Sequence, residues 1–479
     1  MSPGPPVQPT ADGSGGEAAR RRGDEPARPQ GERRRVPVPL LKRRMPSGRG
    51  ATEQPNATGD DDAALDAPFW LALVLTGVAT GLLGDLMMWL LFGVQHLAFN
   101  YSSGAFEQAV ERGSDLRRVG ALAVAGVVGG AAWYLLRRYT KGEKSEVDDA
   151  IWRGDARLSL RRCFGTSVIS EVVIGMGASI GQEQAPKLMG AASGSVVSGW
   201  FGLTQGQRRL LVACGAGAGL AAVYNVPLGG AFFTIEVLLG TTLLPAVLPA
   251  VACSFIATLT AWSYLPSHAT YIDIPAYHFT ATIMVWALVV GPIVGALASG
   301  YIRLIGWVSY HRSAGPAIVP TMVGAFVVLG LVGLQYPQLF GNGKDIVHDV
   351  FLGKGTLVLL LALFMLKPLM TALCLRSGAA GGLFTPTLAT GALVGAFMGT
   401  VWSHLWPGSP AGAFAMVGAA AMIGASMQAP LAGLALVLEL TRSGFPLTVP
   451  MMAATVIATA VARYVDGYSI YSARLPAER

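Results

Sequence analysis

Glu183 and Lys187 stand four residues apart in GASIGQEQAPKLMG, residues 177–190, a glycine-rich passage of an otherwise oily chain. An ionisable group in such surroundings is expensive and marks a functional site by default. A carboxylate just before a helix start sits where an external anion would also be drawn, because the end of a helix presents unpaired N–H groups and a partial positive charge. A tethered anion competing with a soluble one is a gate: protonating or displacing it opens the path. Lys187 admits two readings. On a helix its spacing allows an ion pair with Glu183, which would favour the ionised, blocking carboxylate. Alternatively it faces a water-filled vestibule and attracts anions.

The elements that must position these residues come in duplicate. GAGAGLAAVYNVPLGGAFFTIE, from Gly215, aligns without gaps on GAAAMIGASMQAPLAGLALVLE, from Gly418, at a spacing of 203. Pro227 meets Pro430, Gly230 meets Gly433, and Glu236 meets Glu439. A second pair aligns at a spacing of 201, where Gly181 falls on Gly382, Gly190 on Gly391 and Gly194 on Gly395. Both halves therefore carry short hydrophobic segments interrupted by Gly and Pro in corresponding places. That pattern points to discontinuous helices meeting near the bilayer midplane, where irregular backbone is tolerated only if it is buried or lines a cavity. Half-helices starting near Ala185 and Phe384 would aim their N-termini inward and form an anion site without an arginine.

Composition agrees with a membrane setting. Of 479 residues, 52% are hydrophobic and 13% charged, against about 25% charged in a soluble domain. Apolar runs at 71–99, 119–136, 244–264, 283–308, 319–334, 357–373 and 449–465 are each near the ~20 residues that a bilayer demands. The expected fold is all-α and polytopic, with two inverted-topology repeats. Its expected divisions are 1–66, 67–265, 266–276 and 277–479: a tail, the first half, a linker and the second half. The net charge of +7 is concentrated in residues 1–49, which hold eleven Arg or Lys against five Asp or Glu. This segment lacks the apolar surface to fold, and its positive charge predicts a cytoplasmic N-terminus. No aromatic residues interleave with its basic runs, so nucleic acid is not an expected partner. No apolar core lies near Met1, so no cleavable signal is expected. Cys163, Cys214, Cys253 and Cys374 are dispersed without metal-ligand spacing and read as small core hydrophobes. No HExxH-type zinc pattern or recognisable catalytic setting is present, so neither a cofactor nor an enzymatic activity is expected.

GQEQAP around Glu183, YNVPLGG around Tyr224, SGAAGGLFTP around Phe384 and GYSIYSAR around Tyr471 together resemble the CLC family of chloride channels and proton/chloride exchangers. The resemblance runs from about Trp70 to the C-terminus and is similar to bacterial members without a soluble regulatory tail. It implies a pore within each subunit of a homodimer in the cell membrane. Glu183 matches the external gating glutamate, with Gly181, Gln182 and Lys187 lining its approach. Leu383 and Phe384 match the positions whose backbone N–H groups hold the central chloride, flanked by Gly382 and Pro386. Tyr471 matches the tyrosine whose hydroxyl donates to the same ion.

Three departures shape the functional expectation. The family's GSGIP-type motif is replaced by Lys141, Gly142, Glu143, Lys144 and Ser145. An ungapped count puts the chloride-contacting serine position on Gly142; a slipped loop would give it to Ser145. Ser145 reads instead as a helix N-cap, with Asp148 completing a capping box. Glu143 and Glu146 would repel chloride unless they point away or pair with Lys144. The GREGP-like element reads GQEQA, with proline one residue later. The internal proton-transferring glutamate of exchangers falls on Val237, and the adjacent Glu236 points roughly 100° away on a helix. The expectation is chloride-selective, channel-like permeation. Its alternatives are proton-coupled antiport or another small anion such as fluoride or nitrate; retention of Tyr471 argues against fluoride specialisation. Asp85, Glu171 and Lys367 lie in apolar segments and are read as structural first.

Overall fold

The computed structural model describes residues 65–442 and 445–475. The basic tail lies outside the described residues. The first half comprises α1 (Ala67–Phe99), α2 (Phe106–Arg112), α3 (Asp115–Tyr139), α4 (Val147–Arg153) and α5 (Leu160–Gly175). It continues with α6 (Gln184–Trp200), α7 (Gln205–Tyr224), α8 (Pro227–Phe232) and α9 (Leu244–Ala261). The second half comprises α10 (Ala281–Tyr310), α11 (Ile318–Gln335), α12 (Lys344–Phe351) and α13 (Leu357–Arg376). It ends with α14 (Phe384–Leu405), α15 (Ala411–Met427), α16 (Pro430–Thr441) and α17 (Thr448–Val465). Among the described residues, eight helices are long and apolar enough to cross a membrane. Seven cover the runs expected from the sequence. The eighth is α14, whose 22 residues make it longer than the short half-helix expected there.

The duplication has a physical basis in how the helices touch. α6 packs on α7, and α14 on α15, through pairs of glycines whose backbones nearly meet. A Cβ on Gly190 would lie 2.0 Å from the Gly215 carbonyl oxygen; the equivalent atom on Gly418 would lie 2.6 Å from that of Gly391. Small residues are what let membrane helices approach this closely. The aligned glycines are thus the same helix contact built twice.

The aligned prolines and glutamates form a second duplicated device. Pro227 and Pro430 occupy the first turns of α8 and α16, where a missing N–H costs nothing. The remaining N–H groups at each start are capped by the other half's glutamate. Glu439 accepts from the N–H groups of Leu228 at 3.0 Å and Gly229 at 2.6 Å. Glu236 accepts from those of Leu431 at 3.2 Å and Ala432 at 2.7 Å. Each carboxylate satisfies two orphan donors and complements the positive helix end. The aligned Glu236 and Glu439 are therefore a reciprocal cap that ties the halves together.

Candidate functional site

The two discontinuous helices α6 and α14 begin where the halves touch. Gly181 and Gly382 pair antiparallel through two hydrogen bonds, the Gly181 N–H donating at 2.9 Å and the Gly382 N–H at 2.7 Å. Glu183 is the residue preceding α6. Its carboxylate crosses to the start of α14. Oε1 accepts from the Phe384 N–H at 2.6 Å; Oε2 accepts from the hydroxyls of Thr385 at 3.1 Å and Tyr224 at 3.4 Å. Tyr224 and Thr385 are themselves 2.6 Å apart. Glu183 is 4% exposed. A Cβ on Gly382 would fall 1.9 Å from its Oε1, and one on Gly181 2.3 Å from its Oε2. The bridge needs glycine on both strands because the carboxylate fills the space beside them.

The carboxylate therefore occupies the anion-attracting end of α14, as its helix-start position suggested. Leu383 and Phe384 are both buried and open that helix, with Pro386 in its first turn. Gln182 points elsewhere. Its side chain accepts from Asn342 Nδ2 at 2.6 Å and donates to Met88 Sδ at 3.6 Å.

Lys187 makes its hydrogen bonds to neither Glu183 nor open water. Its ammonium reaches past Glu183 to Asp148, donating to Oδ1 at 3.1 Å and Oδ2 at 3.4 Å. It also sits 4.4 Å from the ring centre of Tyr471 and 5.4 Å from that of Phe233. Tyr471 is buried and packs edge-to-face on Phe233. The lysine, in the first turn of α6, thus joins Tyr471 to the first turn of α4.

The 141–145 segment corrects other expectations. Gly142 lies in an exposed turn, with nothing within 4 Å of where a side chain would begin. Ser145 is not a helix cap: Glu146 precedes α4 and makes no side-chain cap bond, while Ser145 Oγ accepts from Arg162 Nε at 3.2 Å. Asp148 completes no capping box, because its carboxylate is on Lys187. Neither acid pairs with Lys144, which bonds Asp155 at 3.3 Å. Glu143 accepts from the Ser159 hydroxyl, and Glu146 lies 3.7 Å from Arg312. The buried acids and lysine elsewhere differ among themselves. Lys367 donates to Ser179 at 2.8 Å and the Gly341 carbonyl at 2.9 Å, bracing the loop that enters the glycine bridge. Asp85 accepts from Ser263 at 2.8 Å. Glu171, fully buried on α5, has no hydrogen-bond partner among the described residues.

Sequence reasoning missed Thr385 and the hydroxyl of Tyr224, and gave Asp148 a capping role in place of its bond to Lys187. Their signal was indirect. A buried lysine needs a counter-charge, and the sequence clusters four acids, Glu143, Glu146, Asp148 and Asp149, upstream of it.

A model of the family described as voltage gated chloride channel matches residues 120–463, most of the chain. The chain belongs to that family. The proton/chloride exchange transporter ClcA of Yersinia pestis is 32% identical over 314 residues, 63% of this chain and 65% of that protein. The match thus spans less than two thirds of that relative. The voltage-gated ClC-type chloride channel ClcB of Salmonella typhi is 27% identical over 379 residues, 77% of this chain and 89% of that one. Among solved structures, a slow cyanobacterial chloride/proton antiporter superposes with a TM-score of 0.73 at 22% identity, covering 85% of this chain and 97% of that chain. A CLC-type fluoride/proton antiporter superposes with a TM-score of 0.67 at 20% identity, with the same coverages. The two likenesses establish the fold: an all-α membrane protein built from two inverted repeats.

Proposed function

We propose that this family member conducts chloride through a pore gated by Glu183, without stoichiometric proton coupling. One observation carries the reading: the Glu183 carboxylate is hydrogen-bonded to the Phe384 N–H at the start of α14, the place a small anion would take. An anion passes when that carboxylate is protonated or displaced. Leu383, Phe384 and Tyr471 are the proposed anion contacts. The absence of coupling is supported by Val237, which is buried and cannot carry a proton. Glu236 beside it has both oxygens committed to N–H groups of α16. On this reading residues 67–265 and 277–479 are the two transport halves, the basic segment 1–66 stays cytoplasmic, and two subunits pair in the cell membrane.

Proton-coupled antiport is the second reading, favoured by the exchanger ClcA and the cyanobacterial antiporter. Liposome reversal potentials decide between them. With a chloride gradient and an imposed pH gradient, a channel reverses at the chloride equilibrium potential whatever the pH gradient. A reversal potential that moves with the pH gradient contradicts the channel reading.

A further inference from the structure

Lys187 is the least expected charge in the core. It is 5% exposed, on α6, one turn beyond Glu183. Among the described residues, only Asp148 accepts a hydrogen bond from its ammonium. A lysine ammonium has three donors and suits a small anion as a point charge. The aromatic faces of Tyr471 and Phe233 hold it in place. Asp148 is 13% exposed, more than the lysine it holds. The arrangement repeats the logic of Glu183: a side-chain carboxylate rests on a group that attracts anions. Other charges face the pair. Glu183 lies one turn away, just before α6; Glu146, beside α4, is in the fields of Arg474, Arg312, Lys187 and Arg137.

We propose that Lys187 is a cationic ligand for the permeating anion, and that Asp148 is a second tethered carboxylate which yields this ligand to a small monovalent anion. The inference rests on the anion-conducting function proposed above and adds an inner lock to its outer gate. α4 supplies a firm base for such movement. Trp152 at its far end donates to the Leu238 carbonyl at 2.7 Å, so the Asp148 side chain can leave Lys187 while the helix stays docked. The displaced carboxylate turns to water, and the anion takes its place on the ammonium. Removing Asp148 alone leaves the lysine charge uncompensated, which an anion then satisfies.

The test uses the full chain, with sodium chloride titrated calorimetrically into detergent-purified protein and chloride efflux measured in proteoliposomes. Asp148→Asn is expected to bind chloride at least tenfold more tightly than wild type and to raise efflux. The double variant Lys187→Met with Asp148→Asn removes both charges, so it keeps the fold without a buried orphan. It is expected to bind chloride at least tenfold more weakly than wild type, whereas Lys187→Arg retains binding. A double variant that binds chloride as wild type does overturns the proposal, even if Asp148→Asn alone fails to fold. Glu183→Gln in the same assays separates the two claims. If it raises efflux while the double variant matches wild type, the inner lock alone is wrong. If it changes neither binding nor efflux, the gated-pore reading falls and the lock falls with it.

Discussion

The two halves of the molecule agree in their scaffold and disagree at their shared site. Gly190 against Gly215 and Gly391 against Gly418 make the same helix contact twice. Glu236 and Glu439 cap each other's half in the same way. Yet under the spacing of 201 that aligns Gly181 with Gly382, Glu183 falls on Phe384 and Lys187 on Leu388. One half supplies the charged side chains, and the other supplies a bare backbone N–H in an apolar helix start. Symmetry builds the frame; its local failure puts a carboxylate opposite an unpaired donor. Two glutamates in equivalent places would repel each other, and two phenylalanines would leave both helix starts without a carboxylate.

Substitutions can break this comparison at its symmetric points. The largest effect is expected at the glycine contacts. Gly190→Ala drives a methyl into the Gly215 carbonyl, a backbone group that cannot rotate away, and overpacking of this kind costs on the order of 3 kcal/mol. Gly391→Ala meets Met422 Cβ at 2.5 Å and the Gly418 oxygen at 2.8 Å, so its cost is expected to be smaller, about 2 kcal/mol. Gly120, inside α3, has nothing within 4 Å; Gly120→Ala is expected to stabilise by about 0.5–1 kcal/mol through helix propensity. Melting of the purified protein in detergent ranks the three, and equal losses at Gly190 and Gly120 would contradict the close-contact account.

The reciprocal caps sharpen the comparison. Glu236→Ala and Glu439→Ala each strip two N–H groups of their acceptor and are expected to cost about 1–2 kcal/mol, within a factor of two of each other. Neither should alter the reversal potential. A change in proton dependence in Glu236→Ala alone would show that this carboxylate does more than cap.

The smallest effect concerns the rim, outside the spans. Burial, then the nearby carboxylates of Asp345 and Asp349, push the half-buried Glu107 up to about 8. Asp345 also accepts from the Glu107 N–H at 2.8 Å. The folded state therefore favours protonated Glu107. Its contribution to stability is complete below the unfolded value near 4.5 and is lost as pH rises through about 8. Wild type should lose a little melting temperature between pH 6 and 9, and Glu107→Gln should lose less. Parallel curves for the two proteins would remove this assignment.

Much of this architecture was legible because it is local or periodic. Apolar runs of bilayer length gave the spans, and fixed-spacing glycines and prolines gave the repeat. Glu183 stood out as a carboxylate beside a helix start. Less legible were the choices made between distant segments. Lys187 had a partner four residues away by helix geometry, but Asp148, 39 residues back, took it. The structure is not the local optimum because Glu183 is already held by Phe384 and Thr385 of the other half. Ser145 had the look of an N-cap, but Arg162 from α5 claimed its hydroxyl. Gly142 inherited a role only by counting, and a turn at φ 87° carries it to the surface. Side-chain pairing across elements is decided by packing, which no short stretch of chain encodes alone.

The central claim is that the Glu183 carboxylate holds the place of a permeating anion at the Phe384 N–H. Chloride efflux from proteoliposomes, compared between wild type and Glu183→Gln across pH 4.5–7.5, tests it most directly. The neutral amide is expected to give faster efflux, at least tenfold at the upper end, with little dependence on pH. Efflux matching wild type in both rate and pH response would contradict the claim.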